Sequence, residues 1–277
     1  MQYNKGVEPL GLSELYRFGI ELEAFNVNTS IVLGNNPKSL YYSKQSKDFL
    51  KEHRWKTANF LEETLVGQGG AELVSPILYD KKEDWQNIQE VCAHMQKYPG
   101  KHGDKVVADS KCGCHIHFDK RTLDGKTQEQ SQAIMQSFLR LWAESEEFIY
   151  KMCNHVNDPI RQGSLTIKAH GIHKLAAKLQ GIKGMAIPNG KRILQEIEQG
   201  TLKVSYKKFG KLKRTLAKAK LDNRRYEGLN LTNLGNPDKN TIEFRISNGT
   251  LNPEIIKQNI FLYASLIQTA RKSVLEP

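Results

Sequence analysis

The sequence has few of the features that mark secreted or membrane proteins. It contains four cysteines in 277 residues, too few for the disulfide framework that supports a small secreted domain. It contains no run of about 18 apolar residues, so we expect no membrane-spanning helix. Its opening residues, 1–6, lack the apolar core of a signal peptide. These absences predict a cytoplasmic protein in a reducing compartment.

Two loop motifs that serve many enzymes are also absent. The sequence has neither a glycine-rich phosphate loop of the usual spacing nor a nucleophile elbow. A site that handles phosphate would therefore have to use metal ions and arginines. Arg224, Arg225 and Arg245 are the candidates, because they lie near the ends of two strands that we predict to form a hairpin.

The composition is that of a globular protein with an excess of positive charge. Hydrophobic residues make up 39% of the chain and charged residues 26%, which allows one large domain or two small ones. The net charge of +11 suits an anionic partner such as a nucleotide, an acidic peptide or a nucleic acid. Much of the excess lies between Lys203 and Arg225. A basic run of this kind also occurs on solvated helix faces, so both interpretations remain open.

Three short segments alternate apolar with ionisable residues, which predicts strands with one apolar and one polar side. In a strand, residues i and i+2 point to the same face of the sheet. The ionisable pairs in these segments are Glu21 and Glu23, His115 and His117, and Glu243 and Arg245.

The rest of the sequence predicts further strands and helices, and the strands would be joined by one hairpin and by long connections. Apolar spacing predicts helices at 84–98, 127–152 and 254–271. We predict strands at 18–27, 53–57, 71–75, 106–119, 228–232 and 241–247. This order favours an α+β fold with an antiparallel sheet whose helices pack on one face. In residues 153–225 the sequence pattern predicts only short, basic helical segments.

The polar face of such a sheet would be rich in carboxylates and imidazoles. Each pair of side chains alone has a structural explanation, but together they would repel or stay unsatisfied without a cation among them. Excess carboxylate favours Mg²⁺ or Mn²⁺, and two ions could share the ligands. Zinc at Cys112 and Cys114 is disfavoured, because ligands at i and i+2 of a strand rarely close a tetrahedron. We expect these two cysteines to face the core.

Five motifs, in this order along the chain, resemble the amidoligase family of carboxylate–amine ligases, which is related to glutamine synthetase and glutamate–cysteine ligase. They are Glu-x-Glu at 21–23, Glu-Leu-Val-Ser-Pro at 72–76, Cys-Gly-x-His-x-His-Phe-Asp at 112–119, Arg-Tyr-x-x-Leu-Asn-Leu at 225–231 and Thr-Ile-Glu-Phe-Arg-x-x-x-Gly-Thr at 241–250. With the helix that follows, the resemblance extends from Phe18 to Ala270.

The resemblance implies a fold and a reaction. The fold would be a curved, mainly antiparallel sheet with helices on one face, as in the catalytic domains of glutamine synthetase and glutamate–cysteine ligase. A single domain would span residues 1–277, with a basic insertion at about 153–221. The reaction would be ATP-dependent amide formation through an acyl phosphate, with two or more Mg²⁺ or Mn²⁺ ions.

The resemblance also assigns roles to individual residues. His117 and Asn230 would contact the nucleotide, and Arg245, with Arg224 or Arg225, would contact the nucleotide and stabilise the transferring phosphoryl group. A further acidic ligand is Glu62 or Glu63, and Glu62 is favoured because Glu62–Thr64 resembles an Asp-x-Ser pattern. The implied metal ligands are Glu21, Glu23, Glu62, Glu72, His115 and Glu243.

The substrates are left open by these motifs. The resemblance implies a carboxylate substrate and an amine, which would be an amino acid, a peptide or a polyamine-like molecule. The basic run Lys203–Lys220 would bind ATP phosphates or an acidic protein acceptor, or would face solvent. No membrane partner is expected. Two alternatives are a metal-dependent phosphohydrolase or nuclease whose basic region binds nucleic acid, and a non-catalytic module that binds an acidic partner.

Overall fold

A computed structural model describes residues 8–24, 48–57, 71–97, 105–108, 112–153, 188–201, 227–236 and 239–276. The chain contains a short 3₁₀ helix at Lys120–Leu123. The strands are β1 (Phe18–Ala24), β2 (Lys56–Thr57), β3 (Ala71–Val74), β4 (Gly113–Asp119), β5 (Leu229–Asn230) and β6 (Thr241–Asn248). The helices are α1 (Lys82–Lys97), α2 (Gln128–Cys153), α3 (Gly190–Glu198) and α4 (Pro253–Leu275).

The six strands form one open sheet in the order β2-β3-β1-β4-β6-β5. The pairs β1–β3, β2–β3 and β5–β6 are antiparallel. Backbone hydrogen bonds show that β4 and β6 also run antiparallel, because Lys120 pairs with Asn240 and Cys112 with Gly249. The prediction of an α+β fold with an antiparallel sheet is therefore confirmed.

Contacts divide the chain into two compact units. Of the described residues, the first unit contains those up to His115 and those from Asn248 to Gln258. The second unit contains those from Ile116 to Ser247 and those from Asn259 onward. The division falls inside the continuous strand β4. The prediction of a single domain over residues 1–277 stays a prediction.

In the first unit, α1 packs against the apolar side of β1. Phe18, Ile20 and Leu22 alternate along β1 and are buried. The ring of Phe18 lies 5.7 Å from that of Trp85 on α1. The buried residues of α1 include Trp85, Ile88, Val91, Cys92 and Met95, which are those whose spacing predicted the helix.

In the second unit, Phe244 of β6 is the centre of an aromatic cluster. Its ring stacks on that of Tyr263 of α4 at 4.1 Å. Edge contacts at 5.6–6.1 Å join it to Trp142 and Phe138 of α2 and to Phe118 of β4. Helices α2 and α4 therefore cover the apolar side of these strands, which leaves the opposite side to the polar residues.

Two predicted strands are shorter than expected, for local reasons. The strand predicted at 53–57 begins only at Lys56, because Arg54 adopts a left-handed conformation with φ of 61°. The strand predicted at 228–232 ends at Asn230. The side chain of Asn230 accepts hydrogen bonds from the backbone N–H and the hydroxyl of Thr232, which turns the chain.

The strand predicted at 106–119 and the helix predicted at 254–271 also differ in their bounds. Regular pairing in the first begins at Gly113, and residues 105–108 contribute only isolated bridges. The final helix extends to Leu275, because Val274 and Leu275 are partly buried and continue its apolar face. Within the described ranges, every helix is too short or too polar to cross a membrane.

All four cysteines are buried, and none of them forms a disulfide. Cys112 and Cys114 have no exposed surface, which confirms that they face the core. Burial raises the pKa of the Cys92 thiol to about 12 and that of Cys153 to about 11. Since thiolates are the reactive and metal-binding form of cysteine, Cys92 and Cys153 act as small apolar residues here.

We expect Phe244→Ala to lower the free energy of unfolding by about 3–5 kcal/mol, because it removes the ring on which four other rings pack. Urea denaturation followed by circular dichroism measures the change. The matched control is Phe261→Ala in the same unit, where 53% of the side chain is exposed and the loss should be within about 0.5 kcal/mol. Equal losses in the two variants would contradict this description of the core.

Candidate functional site

In the first unit, the imidazole of His115 lies between two carboxylates of β1. Its Nδ1 is 3.5 Å from Oε2 of Glu21, and its Nε2 is 3.7 Å from Oε1 of Glu23. His115 is 1% exposed and Glu23 is 2% exposed. Carboxylates this well buried are costly unless positive charge or hydrogen bonds compensate them. The sequence prediction that these side chains share a face is met within this unit.

The surroundings of Gly113 explain why a glycine lies two residues before His115. Its backbone N–H donates a 2.6 Å hydrogen bond to Oε2 of Glu23. A Cβ atom at Gly113 would lie 2.4 Å from Nε2 of His115 and 3.2 Å from Oε2 of Glu23. The absence of a side chain therefore leaves room for the imidazole and allows the backbone to bind the carboxylate.

Glu72 of β3 lies beside this group. The β1–β3 register places Glu72 directly opposite Glu23, so the two side chains are on the same face of the sheet. Like charges opposite each other on neighbouring strands are destabilising. We call Glu21, Glu23, Glu72 and His115 the first-unit cluster. Its three carboxylates and one imidazole form a donor set that suits a hard divalent cation.

In the second unit, Glu243 of β6 is held on both carboxylate oxygens. Oε1 accepts a hydrogen bond from Nη1 of Arg245. Oε2 accepts a 2.6 Å hydrogen bond from Nδ2 of Asn230 on β5. The cross-strand pairing of Asn230 with Glu243 sets this second contact. All three side chains are buried, at 3–6% exposure, so the carboxylate has a fixed orientation.

His117 of β4 completes this group. Its Nε2 is 3.9 Å from Oε1 of Glu243, and its Nδ1 is 3.3 Å from the hydroxyl of Thr241. Sequence reasoning missed Thr241, although it lies two residues before Glu243 in the same alternating pattern. We call His117, Asn230, Thr241, Glu243 and Arg245 the second-unit cluster. It combines metal-type ligands with a buried guanidinium that can bind phosphate oxygens.

Strand β4 contributes a histidine to each cluster. His115 and His117 are two residues apart in one strand, so alternation places both on the same side of it. Some of the predicted site residues lie outside the described residues. They are Glu62, Glu63, Arg224, Arg225 and the basic run Lys203–Lys220.

The protein is thus an α+β protein with two ionisable clusters on the polar side of its strands. Residues 35–267 match the model of the family described as "Putative amidoligase enzyme". This match covers most of the chain, and the chain therefore belongs to the amidoligase family, which makes it a ligase at the coarse level. No curated protein and no solved structure matched the chain.

We expect Gly113→Ala to lower the free energy of unfolding by about 1–3 kcal/mol, because the added methyl group overlaps the imidazole of His115. In a His115→Ala background the overlap with the imidazole is gone and only the 3.2 Å contact with Oε2 of Glu23 remains, so the same change should cost clearly less. Denaturant unfolding of the four proteins gives the interaction energy of the double-mutant cycle. An equal cost in both backgrounds would show that the imidazole does not occupy this space.

Proposed function

We propose that the chain is a cytoplasmic, ATP- and Mg²⁺-dependent carboxylate–amine ligase with a catalytic domain like that of glutamine synthetase. Membership of the amidoligase family supports the class of reaction. The observation that carries the proposal is the fixed Glu243 carboxylate, which has a guanidinium on one oxygen and an imidazole nearby. A metal ligand next to a phosphate-binding arginine is the combination that phosphoryl transfer requires.

The two clusters fit divalent cations by their chemistry. The four carboxylates of the clusters outnumber the two imidazoles, and such oxygen-rich sets favour Mg²⁺ or Mn²⁺ over zinc. We propose that Glu21, Glu23, Glu72 and His115 hold one ion, and that Glu243 helps to hold another. When bound, such ions neutralise the triphosphate and orient its γ-phosphate. Glu62 remains a proposed additional ligand.

Three other side chains of the second-unit cluster, those of Arg245, His117 and Asn230, would contact ATP. Arg245 is buried and fixed by Glu243, so its guanidinium would bind oxygens of the transferring phosphoryl group without reorganisation. His117 and Asn230 would contact the nucleotide. Arg224 and Arg225, which the family motif places close to β5 in sequence, would supply further positive charge.

The reaction would proceed in two balanced steps. A carboxylate oxygen of the first substrate attacks the γ-phosphorus of ATP, the bond from that phosphorus to the bridging oxygen breaks, and ADP leaves. The nitrogen of the second substrate then attacks the acyl carbon, loses a proton and expels inorganic phosphate. The products are an amide, ADP and phosphate. The first substrate would be a carboxylate, and the amine would be an amino acid, a peptide or a polyamine-like molecule.

We expect Glu243→Gln to abolish ADP release that depends on both an amine and a carboxylate, because the variant keeps the shape of the side chain but loses a charged metal ligand. A coupled ADP assay with mixtures of amino acids and amine-bearing peptides measures the rate. Glu198→Gln, an exposed position at the end of α3 in the same unit, is the matched control and should retain wild-type activity.

Full activity of Glu243→Gln would remove Glu243 from the site. Cleavage of phosphodiesters without ATP would instead identify the alternative metal-dependent nuclease. Intact metal binding without nucleotide binding would identify a non-catalytic module.

A further inference from the structure

We infer that Asn189 is a positioning residue for the second-unit cluster. Its side-chain amide fixes strand β5, so that Asn230 holds the carboxylate of Glu243 in one orientation. This inference rests on the proposed function in so far as Glu243 is a metal ligand. Neither the sequence motifs nor the family match points to Asn189.

The amide of Asn189 has a partner for each of its hydrogen-bonding groups. Oδ1 accepts from Nε1 of Trp142 at 3.1 Å and from the backbone N–H of Leu229 at 3.4 Å. Nδ2 donates to the carbonyl of Leu229 at 2.8 Å and to Oε2 of Glu227 at 3.0 Å. Asn189 is 3% exposed. A buried amide with every position used has one fixed orientation.

The side-chain amide of Asn189 forms hydrogen bonds with the outer edge of β5. This strand is the last one in the order of the described sheet. Strand β5 pairs with β6 on its inner side, where the carbonyl of Gly228 accepts from the N–H of Arg245. Because backbone groups alternate in direction along an antiparallel strand, the N–H and carbonyl of Leu229 point away from β6. Asn189 binds both of these groups, so that a single side chain takes the place of a neighbouring strand.

Asn189 is itself held by α2 and α3. Its backbone N–H donates to Oε1 of Glu146 at 2.6 Å, and the N–H of Gly190 donates to Oε2 at 2.9 Å. The Glu146 carboxylate thus binds the N-terminus of α3, where free N–H groups and the helix dipole favour negative charge. A Cβ at Gly190 would lie 2.9 Å from both Glu146 and Ala143, so glycine permits this close approach.

Glu227, the remaining partner of Asn189, has its charge compensated. Arg192 of α3 donates to both of its oxygens, at 3.0 and 2.7 Å. Such a two-point pair is stronger and better oriented than a single contact. Glu227 lies two residues before β5 and is attached to α3 as well, so the segment leading into β5 is held at Glu227 and Leu229 together.

The effect reaches Glu243 through Asn230. Oδ1 of Asn230 accepts from the N–H and hydroxyl of Thr232, at 2.9 and 2.7 Å. This leaves Nδ2 to donate to Oε2 of Glu243. If β5 moved away from β6, this donor would be withdrawn and the carboxylate could rotate. Loss of such outer hydrogen bonds typically lowers metal affinity about 10–100-fold.

A double-mutant cycle on metal affinity tests the inference. Mn²⁺ binding to the full chain is followed by electron paramagnetic resonance in wild type, Asn189→Ala, Asn230→Ala and the double variant. We expect each single change to raise the Kd of one class of Mn²⁺ sites about tenfold. Because Asn189 acts through Asn230, the double variant should bind no more weakly than Asn230→Ala. Additive losses would overturn the inference.

Two further variants separate positioning from general destabilisation. Asn259→Ala removes another buried asparagine in the same unit, at 4% exposure, and should leave Mn²⁺ affinity unchanged. Trp142→Phe keeps an aromatic ring but removes one donor to Asn189, so it should weaken binding in the same direction by less. If Asn189→Ala does not fold, the cycle is carried out with Trp142→Phe, and additive losses there would equally overturn the inference.

Hydrogen exchange distinguishes failure of the inference from failure of the proposed function. If wild type binds no Mn²⁺, the proposed metal role of Glu243 is wrong, whereas the attachment of β5 is still measurable. Mass spectrometry should then show faster exchange in peptides covering residues 227–232 for Asn189→Ala than for Asn259→Ala. Equal protection in the two variants would overturn the role of Asn189.

Discussion

The arrangement of the second unit depends on one buried carboxylate that is held from two sides. One oxygen of Glu243 accepts a hydrogen bond from Arg245, and the other accepts one from Asn230. Glu243 is 3% exposed. Burial of this charge is tolerable only because both oxygens are bound. The aromatic cluster around Phe244 fixes β6 from the apolar side, and the Asn189 amide fixes β5. Core packing and polar contacts therefore orient the same side chain.

In the first unit, different groups surround the carboxylates. Two carboxylates lie on either side of His115, and a third faces Glu23 from the neighbouring strand. Gly113 contributes a backbone donor and leaves the space that the imidazole occupies. Repulsion among the three acidic groups lowers stability unless positive charge compensates it. A divalent cation would convert that repulsion into binding energy.

The sequence predicts which side of each strand or helix is polar or apolar better than it predicts individual side-chain contacts. Alternation along β1, β4 and β6 identified the polar side chains, and the spacing of Trp85, Ile88 and Val91 identified α1, because both periods follow from local geometry. The role of Asn189 could not be predicted, since it lies about 40 residues from Leu229 in sequence and belongs to no periodic pattern. Strand bounds were missed where a single residue, Arg54 or Asn230, turns the chain.

The most direct test of the central claim is the number of Mn²⁺ ions that the full chain binds, counted by equilibrium dialysis with and without a non-hydrolysable ATP analogue. If each cluster holds a divalent ion, the chain should bind two or more ions, and the analogue should tighten the binding of any ion that contacts ATP. Absence of any Mn²⁺ binding, with or without the analogue, would contradict the account.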